Sequence, residues 1–452
     1  MREFDVIVIG SGSGLDVASA YTSRGKEVAV VEPGRLGGTC LNRGCIPSKM
    51  LIHHADIVEE VEGSEEFHIS AEVNNIDFSA ITSEVNNKVK EESESIERGL
   101  QSSDKHTLYR EEAKFVDEKI LQVGDEEVTA DKIVIAAGSR PMVPPIDGLD
   151  EVDFLTSKDA LQLDECPDEI VMIGGGYISL ELAHFYHRMG AEVTILEMAD
   201  RLLQREDEDI SEKITEIAEE KYNVFTEVSA SKVAEEAGKK AVYAENKQGV
   251  EQRFVGDEVL VATGRVPNTD KLEVEEAGLE TGERGFLEVD EYMETNIDGV
   301  YALGDIAGNY MFKHSANLEA EYVFKNSHAG NEYPVDYTAM PHAVFSSPQI
   351  AGVGKTEQEL EEEDEQYVAA SYEYSKTGMG MALKEEDGFV KVIAAPDGEI
   401  LGCHIIGPEA STLIHEVLTV MKAGNKNVKD IKETVHIHPA LNEVVSRAFS
   451  QM

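Results

Sequence analysis

Phe4-Asp5-Val6-Ile7-Val8-Ile9-Gly10-Ser11-Gly12-Ser13-Gly14 is a short apolar run that ends in a cluster of glycines. Such a run bounded by glycine suits a buried strand. A helical pattern follows to Arg24, Gly25 stops it, and a second strand, Val28-Ala29-Val30-Val31, closes on Glu32. Strand, glycine turn, helix and second strand with an acid at its end is the order of a dinucleotide-binding unit. In such a unit the glycines let the backbone approach a pyrophosphate at the helix N-terminus, and an acid about 20 residues on binds ribose hydroxyls. Glu32 falls 20 residues after Gly12. The third glycine of G-x-G-x-x-G would be position 15, a leucine, so Gly14 is expected to replace it in a turn shortened by one residue. Gly10, Gly12, Gly14 and Glu32 are therefore the expected contacts of a first dinucleotide.

The plan recurs further along. Strand Ile170-Val171-Met172-Ile173 leads into Gly174-Gly175-Gly176-Tyr177-Ile178-Ser179, a helix to Met189, Gly190, and strand Val193-Thr194-Ile195-Leu196 closed by Glu197. Two units with one internal order argue for two dinucleotides. Gly174, Gly176, Tyr177, Ile178 and Glu197 are expected on the second. Ser179 stands where a third glycine is common, and its small side chain still allows close packing of helix on strand. Glu197 should accept the ribose hydroxyls of NADH and repel the extra phosphate of NADPH. Arg201 and Arg205 follow closely and offer that phosphate a partner, so the pattern leaves the choice open.

The 89 acidic residues outnumber the 40 basic ones, for a net charge of −49. Nucleic acid and anionic membrane surfaces are excluded as partners on that balance. The acids run through every segment, including Glu361-Glu362-Glu363-Asp364-Glu365, and resemble the solvated surface of proteins from a high-salt cytoplasm. No apolar run approaches the ~18 residues of a membrane span, and the start of the chain leads straight into a strand, so a cytoplasmic location is expected.

Four cysteines in 452 residues do not make a disulfide scaffold. Two of them stand in Gly37-Gly38-Thr39-Cys40-Leu41-Asn42-Arg43-Gly44-Cys45-Ile46-Pro47-Ser48-Lys49. On a regular helix they would be too far apart to bond, since a disulfide needs roughly 4.4 to 6.8 Å between α-carbons. Gly44 gives the chain freedom to close that gap. Pro47-Ser48 is expected to open a helix whose apolar positions 51, 55, 58 and 61 recur at helical spacing. The pair then sits at a helix N-terminus, where the dipole favours thiolate, the attacking species in disulfide exchange. It reads as a redox-active disulfide. Cys166 and Cys403 have no cysteine nearby in sequence and read as inert.

The stretch Gly37 to Lys49 resembles the active-site signature of the class I flavin-dependent pyridine nucleotide-disulfide oxidoreductases, departing from it essentially only at Arg43. The resemblance implies an α/β chain with two Rossmann-like domains, one for FAD and one for the nicotinamide, and an α+β C-terminal dimerisation domain. The implied boundaries are 1–147, 148–265, 266–335, where the chain returns to the flavin, and 336–452. The cofactors implied are FAD and NADPH or NADH; no metal is expected. The partners implied are a small disulfide substrate and a second subunit, in a homodimer whose active site is shared.

By the same resemblance Gly38, Thr39 and Lys49 lie on the flavin, and Ala113, in Ala113-Lys114-Phe115, lies near its adenine. Gly138 ends the strand that leads out of the flavin domain, and Gly264 and Arg265 mark the exit from the nicotinamide domain. Asp305, at the end of Gly299 to Asp305, is implied to bind the ribityl chain, and His314 begins a helix facing the pyrimidine edge. Glu181 is implied to meet Lys49 beside the flavin N5, where a fixed positive charge stabilises the reduced ring.

Near the end stands His436-Ile437-His438-Pro439-Ala440-Leu441-Asn442-Glu443. Pro439 suits a first helical position, which would put His438 at the helix start and Glu443 in its second turn. A histidine oriented by a carboxylate is the usual means of moving a proton to or from a thiol near neutral pH. The resemblance implies that this dyad acts on the cysteine pair of the other subunit; His436 reads as a packing histidine. It further implies that the nicotinamide reduces FAD, that FAD passes two electrons to the disulfide, and that the dithiol exchanges with a substrate. Cys45 would form the charge-transfer thiolate and Cys40 would attack, with His438 protonating the leaving thiol and Glu443 fixing the imidazole.

Lys49-Met50, the shortened first turn and Ala136-Ala137-Gly138-Ser139-Arg140-Pro141 lean toward mycothione-reductase-like enzymes. With a halophilic archaeal surface, bis-γ-glutamylcystine is the first substrate reading, in the service of cell redox homeostasis. Dihydrolipoamide dehydrogenase is the alternative, favoured by Glu197 and His436. Mercuric reductase is disfavoured because Ser446 to Met452 lacks a cysteine pair. A non-catalytic flavin-binding subunit is the reading from another class.

Overall fold

The first apolar run forms the strand Arg2–Ile9, whose last four residues are all buried. It pairs in parallel with Val28–Val31 on one side and with Glu126–Ile135 on the other. The computed structural model describes residues 1–452, and these divide into two compact units. Residues 1–50, 79–142 and 264–336 make the first; residues 51–78, 143–263 and 337–452 make the second.

In the first unit, strands His106–Tyr109, Val28–Val31, Arg2–Ile9, Glu126–Ile135 and Val300–Ala302 run parallel. Strands Ile120–Val123 and Ala113–Asp117 extend the sheet antiparallel from Glu126–Ile135. Helices Gly14–Thr22 and Lys313–Ala329 bury Val17, Ala18, Tyr21, Ala320 and Val323 against it. Tyr21 joins the two helices by donating to Ser327 at 2.7 Å.

The second unit holds a four-stranded parallel sheet in the order Asn223–Phe225, Glu192–Leu196, Glu169–Ile173 and Glu258–Val261. It also holds a three-stranded antiparallel sheet and the five-stranded antiparallel sheet of residues 341–406. Helix Ala410–Ala423 seals the core of the latter together with Val444, Val445 and Phe449. The structure adds the pieces Glu357–Glu362, Gly378–Leu383 and Val428–Lys432, each of 5 or 6 residues and too short to carry a readable helical period.

The repeat seen in the sequence holds atom by atom. Gly10 N–H donates to Val31 O and Gly174 N–H to Leu196 O, both at 2.8 Å. Both glycines lie in the left-handed region, with φ of 101° and 106°. A Cβ on Gly10 would stand 2.2 Å from Ala136 O, and one on Gly174 2.6 Å from Ala262 O. No side chain fits at either place.

Two helix starts depart from expectation. The long helix is Cys45–Gly63, beginning two residues before Pro47, and Cys40 lies in a separate short helix, Gly38–Arg43, closed by Gly44 at φ −151°. The last helix is Glu443–Phe449 with Asn442 at its N-cap, so Pro439 is not a first helical residue. Its start is fixed by Glu443, whose carboxylate takes up Ala440 N–H at 3.3 Å.

Charge is also built into the second core. Lys391, on strand Phe389–Ala394, is 3% exposed, and its ammonium meets Asp207 at 2.8 Å, Asp209 at 2.7 Å and Glu357 at 2.5 Å. Burial alone would raise the Asp207 carboxyl; the nearby cations and the Glu357 N–H outweigh it and hold the group below its ordinary value. Removing one partner of a buried pair strands the other charge. Lys391→Met is therefore expected to lower the unfolding free energy by about 3 to 5 kcal/mol in a denaturant titration, and adding Asp207→Asn should restore part of the loss.

Candidate active site

The first glycine turn is closed by its acid. Glu32 Oε2 accepts Ser11 N–H at 3.1 Å and the Ser11 hydroxyl at 2.8 Å, while Oε1 accepts Gly34 N–H at 2.9 Å. A Cβ on Gly14 would meet Val8 Cγ1 at 2.8 Å and Ala136 Cβ at 2.9 Å. Gly14 thus seats its helix on the strands, the task of the missing third glycine. Gly38 has φ 67°, and a Cβ there would stand 2.7 Å from Gly12 Cα. The segment carrying the cysteines therefore leans backbone to backbone on the glycine turn.

The second turn is closed in the same way. Glu197 Oε2 accepts Gly175 N–H at 2.6 Å and Oε1 accepts Ala199 N–H at 2.8 Å. Gly176 is the N-cap of helix Tyr177–Arg188; Tyr177 is exposed, Ile178 half-buried and Ser179 fully buried against the sheet. Arg201 turns toward its own following helix, with Nη1 2.5 Å from Glu208 and 3.6 Å from Glu212.

Cys40 and Cys45 are present as thiols, hydrogen-bonded to each other. That bond, then burial, then the charge of Cys45 push the Cys40 thiol above its ordinary range, while Lys313 and Lys49 pull it down. A thiol held in this way calls for a base to remove its proton. Thr39 lies in the same short helix as Cys40, and Lys49 lies half-buried on the helix that Cys45 opens.

Around Asp305 a polar knot forms. Asp305 Oδ2 accepts the Ser139 hydroxyl at 2.5 Å, and Arg265 donates to Ser139 Oγ at 2.7 Å and to Ser139 O at 2.8 Å. Gly304 N–H donates to the fully buried Glu319 at 2.6 Å. Gly138, at φ 64°, accepts Asn268 N–H at 3.1 Å, and Gly264, at φ 128°, accepts Met142 N–H at 2.9 Å. Ala113 is buried opposite Val123. His314 stacks on Phe312, ring centroids 5.2 Å apart.

In the second unit Glu181 is 4% exposed and accepts Phe345 N–H at 3.1 Å. His438 Nδ1 lies 3.0 Å from both carboxylate oxygens of Glu443. The imidazole is 74% exposed, its carboxylate only 11%. The hydrogen bond from His438, then Ala440 N–H, hold the Glu443 carboxyl below its ordinary range. His436 is 9% exposed and held by Glu416 at 2.5 Å, as a packing histidine would be.

Glycine-rich turns, each at a helix N-terminus and closed by a carboxylate, fit the pyrophosphate and ribose of a dinucleotide. The residues present therefore suit FAD in the first unit and a nicotinamide dinucleotide in the second. Sequence reasoning missed Ser11, Ser139, Lys313 and Glu319. Ser11 lies inside the glycine turn and was open to notice; Ser139, Lys313 and Glu319 act across 126 residues or more or from within a helix, and carry no local signal.

The chain matches the pyridine nucleotide-disulphide oxidoreductase family over residues 4–320 and that family's dimerisation domain over residues 340–449. It is 35% identical to dihydrolipoyl dehydrogenase 3 of Haloarcula marismortui, covering 98% of this chain and 95% of the relative. The dihydrolipoyl dehydrogenase of Geobacillus stearothermophilus is 37% identical, with 99% and 95% covered. The mycothione reductase of Mycobacterium tuberculosis is 34% identical, with 99% of each covered. Among solved structures, the Cu(II) complex of the HOCl-induced flavoprotein disulfide reductase RclA from Escherichia coli superposes with a TM-score of 0.89 at 26% identity, covering 100% of both chains.

Because a Cβ at position 38 has only the Gly12 backbone to displace, Gly38→Ala is expected to strip flavin from the protein. Visible flavin absorbance per chain after purification should fall well below that of the parent, whereas Gly63→Ala, where a Cβ meets nothing within 4 Å, should leave it unchanged.

Proposed function

The chain belongs to the pyridine nucleotide-disulphide oxidoreductase family, and from that premise we propose that it reduces a low-molecular-weight disulfide, bis-γ-glutamylcystine, at Cys40 and Cys45 in the cytoplasm. Its cofactors are FAD and a nicotinamide dinucleotide. Bound FAD supplies the two-electron relay from nicotinamide to disulfide. Gly10, Gly12, Gly14, Gly38 and Thr39 would hold its pyrophosphate and Glu32 its ribose, with Ala113 near the adenine. Asp305, Gly138 and His314 would serve the ribityl chain and the ring, and Lys49 the reduced ring. Gly174, Gly176, Tyr177, Ile178 and Glu197 would hold the nicotinamide dinucleotide.

The observation that carries the reading is the dyad: an outward imidazole fixed at Nδ1 by a buried carboxylate, on the dimerisation domain. In a homodimer the dyad of one subunit would serve the cysteine pair of the other. His438 Nε2 takes the proton from Cys40, whose thiol is pushed above its ordinary range by the bond to Cys45 and by burial. The Cys40 thiolate attacks one sulfur of the substrate, the substrate S–S bond breaks, and His438 returns the proton to the leaving thiol. Cys45 then attacks Cys40, releasing the second thiol and restoring the intramolecular disulfide.

Identities of 34% to 37% span relatives named dihydrolipoyl dehydrogenase and mycothione reductase, so likeness alone does not select the substrate. The net charge of −49, suited to a high-salt cytoplasm, supports the bis-γ-glutamylcystine reading. A second reading, dihydrolipoyl dehydrogenase, is favoured by the second turn: Glu197 presents a carboxylate there, and Arg201 is engaged by Glu208 and Glu212. Both features suit NADH better than NADPH.

In molar salt, reduction of bis-γ-glutamylcystine by NADH or NADPH is expected to exceed NAD reduction by dihydrolipoamide; the reverse order would select the second reading. Cys40→Ser is expected to abolish disulfide turnover while leaving flavin reduction by the nicotinamide intact in stopped flow. Loss of both would refute this division of labour.

A further inference from the structure

The first glycine turn offers backbone donors to a dianionic pyrophosphate but no cation of its own: Ser11 to Ser23 contains Asp16 and no lysine or arginine. Glu32 adds a carboxylate beside it. The helix dipole supplies only about half a positive charge at that end, and the protein as a whole carries −49. A cation placed there would add to that half charge, and one is in place. Lys313, in the first turn of helix Lys313–Ala329, reaches across to Ser13, its Nζ 2.8 Å from Ser13 Oγ and 2.6 Å from Asn317 Oδ1. Ser13 is the N-cap of helix Gly14–Thr22 yet makes no side-chain cap bond; its hydroxyl instead donates to Asn317 at 2.9 Å.

Arg188, Lys240 and Lys391 are bound to carboxylates, whereas the partners of Lys313 are neutral oxygens. Its charge is therefore left for an anion.

We propose that Lys313 is an FAD-binding residue: held by Ser13 and Asn317, it supplies the positive charge that the FAD pyrophosphate meets at the first glycine turn. The inference rests on FAD as cofactor and is independent of which disulfide is reduced.

The test is release of FAD from the purified holoenzyme on dilution, followed by the recovery of free flavin fluorescence, in the parent, Lys313→Gln, Lys313→Met and Lys313→Arg. Gln keeps a hydrogen-bonding end without the charge. Loss of a charge-assisted contact should weaken FAD binding about ten- to a hundredfold in Gln and Met, with Arg within about threefold of the parent. Direct contact survives molar salt, where the screening length is about 3 Å, so the difference should persist there. Equal FAD retention in the parent and Lys313→Gln would overturn the proposal, also if the pH profile of Cys40 alkylation shifted, since the lysine would then serve the thiol alone. A loss of FAD matched by an equal loss in Lys313→Arg would also overturn it, by making the residue a brace rather than a charge.

Discussion

Two stretches of backbone meet at Gly12 and Gly38, where a Cβ on Gly38 would stand 2.7 Å from Gly12 Cα, and the site depends on that contact. Gly12 belongs to the turn that opens helix Gly14–Thr22, and Gly38 opens the short helix that carries Cys40. Their approach brings a helix N-terminus suited to a pyrophosphate and a redox-active pair of sulfurs onto one framework. Gly10 and Gly14 make the contact possible by letting the turn lie flat on Ala136 and Val8. The second unit repeats the glycine geometry at Gly174, with no cysteine in the turn or in the helix it opens.

The far end of the cysteine-bearing helix is held by charge instead. Glu59, near the end of Cys45–Gly63, meets Arg188 at 2.5 Å, Lys221 at 3.1 Å and the Ser347 hydroxyl at 2.6 Å. Burial would raise its carboxyl, but Lys221, Ser347 and the neighbouring cations bring it down to about 2. A carboxyl depressed in the folded state stabilises the fold above its unfolded value. The benefit fades only as the pH falls through the window between the ordinary carboxylate value and about 2. His184, 1% exposed, adds a bond to Asp56 at 2.9 Å on the same pair of helices. In a chain this acidic, cations meet buried or half-buried carboxylates at Lys391 and around Glu59.

What could be read from the sequence was what is local. The dinucleotide units were legible because glycine turns and strand-end acids follow one another within about 30 residues. The dyad was legible from its five-residue spacing, although its helix starts at Glu443 rather than Pro439. What stayed hidden was assembled over distance. Ser139, Arg265 and Asp305 meet from three separate segments, and Lys313 reaches Ser13 from 300 positions away. Arg201 looked free to hold a phosphate because its partners, Glu208 and Glu212, become neighbours only once the helix Glu208–Lys221 forms.

The central claim is that electrons pass through a sulfur pair at positions 40 and 45 beside a flavin. Its most direct test is the visible spectrum of the holoenzyme during anaerobic titration with two electron equivalents. The account predicts a long-wavelength band from a Cys45 thiolate next to oxidised flavin, absent in Cys45→Ser. Bleaching of the flavin in the parent with no such band would contradict it.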